Sequence, residues 1–381
     1  MGLDFDRIID RSDSDSLKWR DRRGGNVIPM WVADMDFASP PCVLEALRRR
    51  VDHGVFGYPL ATEEVKRAVI DWTESHYGWR IDPAWIVWTP GLVPGIHVAC
   101  LALAEAGEEI LTFVPAYPPF LSGPSATGRS LKTVPLAQEN GRWILDLDAL
   151  CGAITPRTKA LLFCHPHNPV GRTFGREELS AVAEVCERHG LVVCSDEIHC
   201  DLMLEPGRHV PLASLSEESS SRTVTLMSPS KTFNLSGLCC GFAIIPDEKL
   251  RRRFQAAARG LVPEPDVLAY AACRAAFAEG ESWRAALVDY LRGNRDLLEA
   301  FLAEKLPMFR MSHVEATYLA WLDTRWLGKR NKASFFETAG VRLSDGAAFQ
   351  GQGFMRLNFG CPRETLREAL RRMRDAVGGV T

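Results

Sequence analysis

Between residues 86 and 245 the chain repeatedly places a short apolar run ahead of a turn and a helix, and this alternation restricts it to few architectures. The runs are 86–88, 109–113, 160–164, 191–195, 224–227 and 242–245. Several are apolar at every position rather than at every second one, which suits strands buried on both faces of a parallel sheet. Between two of them, residues 176–189 have the period of an amphipathic crossover helix, closed by Gly190. An α/β unit with a central, mostly parallel sheet follows. Upstream, Ser39 with Pro40 and Pro41 predicts the start of a helix whose Leu44, Leu47 and Val51 share one face and which stops at Gly54. Thr62 predicts the cap of a second helix, with Glu63 and Glu64 in its first turn and Val65, Val69 and Trp72 turned inward.

After about residue 280 the pattern changes. A long helix over 282–305 leads to strands near 318–323 and 355–359, then to a terminal helix from Arg363. This predicts a smaller α+β domain, and 381 residues leave room for two folding units. The expected organisation is an N-terminal segment (1–45) packing with the small domain, a large domain (46–280) and a small C-terminal domain (281–381). No internal repeat or low-complexity tract suggests a solenoid or a disordered array.

A formal net charge of −3 gives no electrostatic case for nucleic acid or an anionic membrane, so any phosphate-binding groups act locally. The acidic, charge-broken N-terminus does not read as a secretory signal, and no apolar run approaches the roughly 20 residues that span a bilayer. Eleven cysteines are scattered, several within apolar runs (Cys164, Cys194), and none forms a C-x-x-C pair. Buried, reduced thiols in a cytoplasmic protein are the expectation.

The polar motifs fall after the apolar runs, where sheets of this kind place ligand-binding loops. Ser228-Pro-Ser230-Lys231 follows run 224–227 directly. A partly desolvated amine among small hydroxyl residues suits imine formation with an aldehyde, and Ser228 and Ser230 could donate to a phosphate. Cys194-Ser-Asp196-Glu-Ile-His199 ends another run. A carboxylate there can hold a pyridinium nitrogen protonated, and His199 could reach the ring's phenolic oxygen. A metal site at Asp196 and His199 lacks a third ligand and the His-Glu-x-x-His helix pattern, so no metal is expected. His165-Pro-His-Asn168-Pro-Val-Gly-Arg172 is a loop fixed by prolines, which aims the Asn168 amide inward. Thr89-Pro-Gly91-Leu92-Val93 is a strand-to-helix turn whose free N–H groups suit an anion, although it lacks the Gly-Lys-Ser/Thr of a P-loop. Tyr117 nearby could lay its ring against a flat heterocycle. Arg356, inside an apolar run, needs a bidentate partner: a ligand carboxylate or an internal Asp or Glu.

In the order Tyr117, Asn168, Asp196, His199, Lys231 and Arg356, the chain resembles the class I/II aminotransferases of pyridoxal-5′-phosphate (PLP) fold type I over nearly its whole length. Within them, Pro29-Met-Trp-Val-Ala33-Asp-Met-Asp-Phe, His53-Gly-Val-Phe-Gly-Tyr58-Pro, Pro166-His-Asn-Pro169 and Ser228-Pro-Ser-Lys231-Thr-Phe-Asn are similar to the cystathionine β-lyase/cysteine-S-conjugate β-lyase branch. The resemblance implies that Lys231 carries PLP as a Schiff base and then serves as acid and base at the substrate's Cα. It further implies that Asp196 holds the pyridinium, Asn168 and His199 contact the ring oxygen, and Tyr117 stacks on the ring. Gly91, Leu92, Val93, Ser228 and Ser230 would hold the phosphate, and Arg356 with Ala33 and Asn168 would bind the substrate. Tyr58 would reach the phosphate bound by the neighbouring subunit, making a homodimer necessary. Eight residues beyond Lys231, where many aminotransferases carry a phosphate-binding arginine, this chain has Cys239, a departure the lyase branch shares. The implied reaction is β-elimination from cystathionine or another L-cysteine S-conjugate. Transamination of an L-amino acid uses the same residues and is the alternative; a regulatory binding protein on the same fold is a more remote one.

Overall fold

The structure, a computed structural model, describes residues 3–20 and 26–379. Its centre is a seven-stranded sheet built from β1 (Ile86–Thr89), β2 (Glu109–Val114), β3 (Ser130–Pro135), β4 (Thr158–Cys164), β5 (Val192–Asp196), β6 (Thr223–Met227) and β7 (Gly241–Ile244), in the spatial order β1-β7-β6-β5-β4-β2-β3. The ladders from β6 through β3 are parallel, and β7 alone runs against both of its neighbours. Strands β2, β6 and β7 are buried at every position and β4 and β5 at nearly every one. That is why their sequences lack alternation: helices cover both faces. Each fully buried Leu, Ile or Phe in these layers contributes about 1.5–3 kcal/mol.

Strand β3 carries no such signal. It is an edge strand, largely half-exposed, with Lys132 pointing to solvent and Pro135 at its end, as an edge requires. Among the helices, α1 (Pro41–Asp52) starts at Pro40 with no side-chain cap; Ser39 instead bonds the Asn234 carbonyl. Its buried residues are Val43 and Ala46, while Val51 is exposed. The inward face is thus rotated by about one residue from the expected one, because α1 lies against a small-residue helix, Val267–Glu279. Helix α2 (Glu63–Tyr77) buries Val65, Val69 and Trp72 as its period predicts, although Thr62 at its N-cap position caps no N–H. Helix α3 (Leu92–Leu103) starts at Gly91, and α4 (Arg176–Arg188) is the crossover helix between β4 and β5.

A long helix, α5 (Glu281–Lys305), leads to a four-stranded antiparallel sheet of β8 (Arg310–Met311), β9 (Leu319–Asp323), β10 (Ser344–Asp345) and β11 (Phe354–Asn358), ordered β8-β9-β11-β10. The terminal helix spans Arg363–Gly378. Ile28–Pro29 pairs in parallel with Val341–Arg342, tying the N-terminal segment to this later part of the chain. Among the described residues, no helix is long and apolar enough to cross a membrane.

Candidate active site

Five loops leave the carboxyl ends of β1, β2, β4, β5 and β6 and meet over the sheet, as the strand directions dictate. They enclose a cavity of about 300 Å³ lined by Gly91, Leu92, Val93, Tyr117, Asn168, Asp196, His199, Ser228, Ser230, Lys231 and, from the N-terminal segment, Ala33. Larger hollows on this surface hold none of these groups.

At its centre the Lys231 amine donates to the Ala33 carbonyl at 2.5 Å. Burial, reinforced by the Arg356 charge, lowers Lys231 to about 8, against the pull of Asp34 and Asp196. A lysine so poised is a better nucleophile at neutral pH than an exposed one. Asp196, the last residue of β5, is buried and accepts the Ile198 N–H at 3.1 Å. Burial raises its carboxyl to about 7. Burial likewise pushes His199 well below its ordinary value, so its imidazole is neutral.

The Asn168 side-chain oxygen accepts from Arg356 at 3.0 Å, leaving its amide N–H groups to donate into the cavity. Arg356, central in β11, also donates to the Trp31 carbonyl at 2.9 Å and lies over the Phe349 ring at 4.7 Å. Burial lowers it to about 10. No Asp or Glu among the described residues forms an ion pair with it, so an internal carboxylate is not its partner. A buried cation so placed gains most from an incoming carboxylate.

At the opposite end Gly91, at φ 98, turns the chain from β1 into α3, a conformation that favours glycine. The Leu92 and Val93 amides are thereby left at a helix N-terminus. Gly241 on β7 packs so close that a Cβ there would sit 3.0 Å from the Gly91 carbonyl carbon. Ser228 donates to the Cys240 carbonyl at 2.6 Å, and its oxygen lies 2.8 Å from the Ser230 hydroxyl. Cys239, at φ 50, lines the rim.

These groups can be tested against PLP directly. Among the described residues nothing hydrogen-bonds His199 Nδ1, Arg356 Nε or Ser236 Oγ, although all three are buried. Buried polar atoms without partners are unfavourable and mark places for ligand atoms. A carboxylate for a ring N–H, a neutral imidazole and an amide for a ring oxygen, an amine for an aldehyde, and a helix N-terminus with hydroxyls for a phosphate all face one cavity. The donor set fits the cofactor.

One residue singled out in the sequence stands apart. Tyr58 is fully exposed and lines a separate surface hollow with Phe56 and Pro59. Ser236, which lines the cavity, was not foreseen, because a serine in a Gly-rich turn carries no distinguishing pattern. Nor were Tyr318, just ahead of an apolar strand, and Asn358, whose side chain bonds the Val32 and Asp34 carbonyls.

The doubly covered sheet, the carboxyl-end cavity and its lysine define an α/β enzyme fold of the PLP-dependent, aminotransferase-like type. A family model for aminotransferase class I and II matches residues 26–373, and the chain belongs to that family. It is 37% identical to the cystathionine beta-lyase PatB of Bacillus subtilis (strain 168), over 98% of this chain and 100% of that one. The crystal structure of OvoB matches with a TM-score of 0.95 and 46% identity, over 98% of this chain and 99% of that one. Cystalysin from Treponema denticola, whose crystal structure contains PLP, matches with a TM-score of 0.96 and 31% identity over the whole of both chains.

Proposed function

We propose that the protein is a PLP-dependent carbon–sulfur β-lyase that cleaves cystathionine or another L-cysteine S-conjugate to a thiol, pyruvate and ammonia. The observation that carries it is the convergence of the Lys231 amine, the Asp196 carboxyl and the Asn168 amide, itself bonded to Arg356, on one cavity. End-to-end similarity to a named cystathionine beta-lyase favours elimination over transamination.

When bound, PLP supplies an electron sink for the charge left at Cα when its proton is removed. The chain's own residues do the rest. Asp196 would keep a positive charge at the ring nitrogen, for which a buried carboxylate is the natural partner. Asn168 and His199 would hold the ring oxygen, and Tyr117 would cover a face. The Leu92 and Val93 amides, the turn at Gly91 and the Ser228–Ser230 pair would bind the phosphate without an arginine. Arg356, held by Asn168 and the Trp31 carbonyl, orients the substrate's carboxylate beside Ala33. Lys231 takes the Cα proton; the C–S bond then breaks, the thiolate leaves with its electron pair, and the released three-carbon fragment takes up water to give pyruvate and ammonia.

Two further parts of the reading concern the assembly and the compartment. Exposed Val55, Phe56, Tyr58 and Leu60 form an apolar surface that suits a homodimer in which Tyr58 reaches the neighbouring site. All eleven cysteines are free, which supports a reducing, cytoplasmic setting.

The test is a product assay on the purified protein with PLP and L-cystathionine, with Lys231→Ala as control. Equal pyruvate and thiol that disappear in the variant are expected. Conversion of an added 2-oxo acid to its amino acid, without thiol release, would establish an aminotransferase instead.

A further inference from the structure

Tyr318 is a buried residue just ahead of β9, with its hydroxyl 2.9 Å from the Ala33 carbonyl oxygen. The same oxygen receives the Lys231 amine. One carbonyl, with two lone pairs, therefore holds both donors. The peptide that carries it is pinned on either side. Asn358 donates to the Val32 and Asp34 carbonyls at 2.6 and 2.7 Å, and Lys18 reaches the Asp34 carbonyl at 3.0 Å. The Met35 N–H donates to Asn234, three residues beyond Lys231.

What aims Tyr318 is unusual. Thr317, β-branched and buried, sits at φ 76, a region such residues avoid. It is held there by its N–H on the Leu202 carbonyl at 2.9 Å, and the Leu202 N–H in turn bonds the His199 carbonyl at 3.0 Å. The Tyr318 ring meets the His199 ring edge-on, with centroids 6.2 Å apart. Strained backbone persists where its surroundings over-determine it, which occurs at functional sites. Here the strain turns one side chain toward the His199 loop and toward the carbonyl that receives the lysine.

We propose that Tyr318 is a positioning residue for Lys231: its hydroxyl fixes the Ala33 carbonyl as the acceptor that holds the lysine amine in line for proton transfer. The inference rests on Lys231 being the reacting amine. The groups facing that amine are Arg356, Asp34 and Asp196, with Tyr117 and His199 across the cavity. Each stays in place in Tyr318→Phe, which removes only the hydroxyl.

Two measurements on the full-length protein test it. The first is the pH dependence of the rate at which PLP, added to the cofactor-free chain, develops its visible imine band. This follows the free Lys231 amine without turnover, and its midpoint in the wild type is expected near 8. In Tyr318→Phe the ammonium form loses a fixed acceptor, so the midpoint should fall by about half a unit. The second is steady-state kinetics of the holoenzyme: kcat should fall about tenfold with KM within about twofold, since Arg356 and Asn168 still bind the carboxylate. Both changes are required. An unmoved midpoint overturns the proposal, and so does an unchanged kcat. A lower melting temperature with an unmoved midpoint would mean that the hydroxyl serves packing alone. If the wild type releases no thiol, the lyase reading fails, while an unmoved midpoint of imine formation still overturns the role of Tyr318.

Discussion

Asp196 shows how a residue can burden the fold and serve the site. Its carboxyl is raised from an ordinary 3.8 to about 7 by burial, so the folded cofactor-free chain binds a proton that the unfolded chain has already lost. Stability therefore falls as pH rises from about 4 to about 7 and stays lower above that range. Asn in its place does not titrate and keeps an acceptor for the Ile198 N–H. We expect Asp196→Asn to stabilise the cofactor-free chain at pH 7.5 by about 1–3 kcal/mol, with the gain vanishing toward pH 4. Lyase activity should fall at least about a hundredfold, because nothing then holds charge at the ring nitrogen. Denaturant titrations across pH with product assays check both; a gain over wild type no larger at pH 7.5 than at pH 4 would refute the linkage. Such residues were legible in the sequence because a carboxylate, an amine or an arginine inside an apolar run has few structural uses. Tyr318 was not, since a tyrosine beside an apolar strand reads as core until its hydroxyl is seen to have a partner.

At the scale of elements, the contact between β7 and the start of α3 fixes the proposed phosphate-binding helix start as Asn168 fixes Arg356. A Cβ on Gly241 would lie 2.8 Å from Leu92 Cδ1 and 3.0–3.1 Å from the Gly91 backbone. Backbone cannot yield as a flexible side chain can, so the helix start must move. Gly241→Ala is expected to weaken PLP binding by about tenfold or more and to lower stability by about 1–3 kcal/mol. Titration of the visible band and thermal unfolding measure the two; normal cofactor affinity would show that the N-terminus of α3 does not hold the phosphate. Strands buried on both faces were readable from their unbroken apolar runs. Edge strand β3 was not, because its half-exposed residues follow neither pattern. The face of α1 was misjudged for a related reason: the helix has apolar residues on two sides, and only its Ala-rich neighbour selects Val43 and Ala46.

For the whole molecule, the exposed Tyr58 segment makes the site's completeness a question of assembly. If Tyr58 serves a neighbouring site, Lys231→Ala and Tyr58→Ala, each impaired alone, should complement when mixed and refolded together. Hybrid dimers contain one site with both residues intact, so roughly a quarter of wild-type activity is expected. No recovery above either variant alone would mean that Tyr58 does not serve a neighbouring subunit's site. By itself the sequence determined the doubly buried strands, their mostly parallel arrangement and the residue types gathered in the candidate site, because these follow from local periodicity and from chemistry tied to single motifs. Only the tertiary structure decided which carbonyl receives the lysine. It also decided that Arg356 is matched by an amide and not by a carboxylate. Those outcomes depend on residues as far apart as Ala33 and Lys231, or Asn168 and Arg356, brought within hydrogen-bond distance by packing that no local pattern encodes.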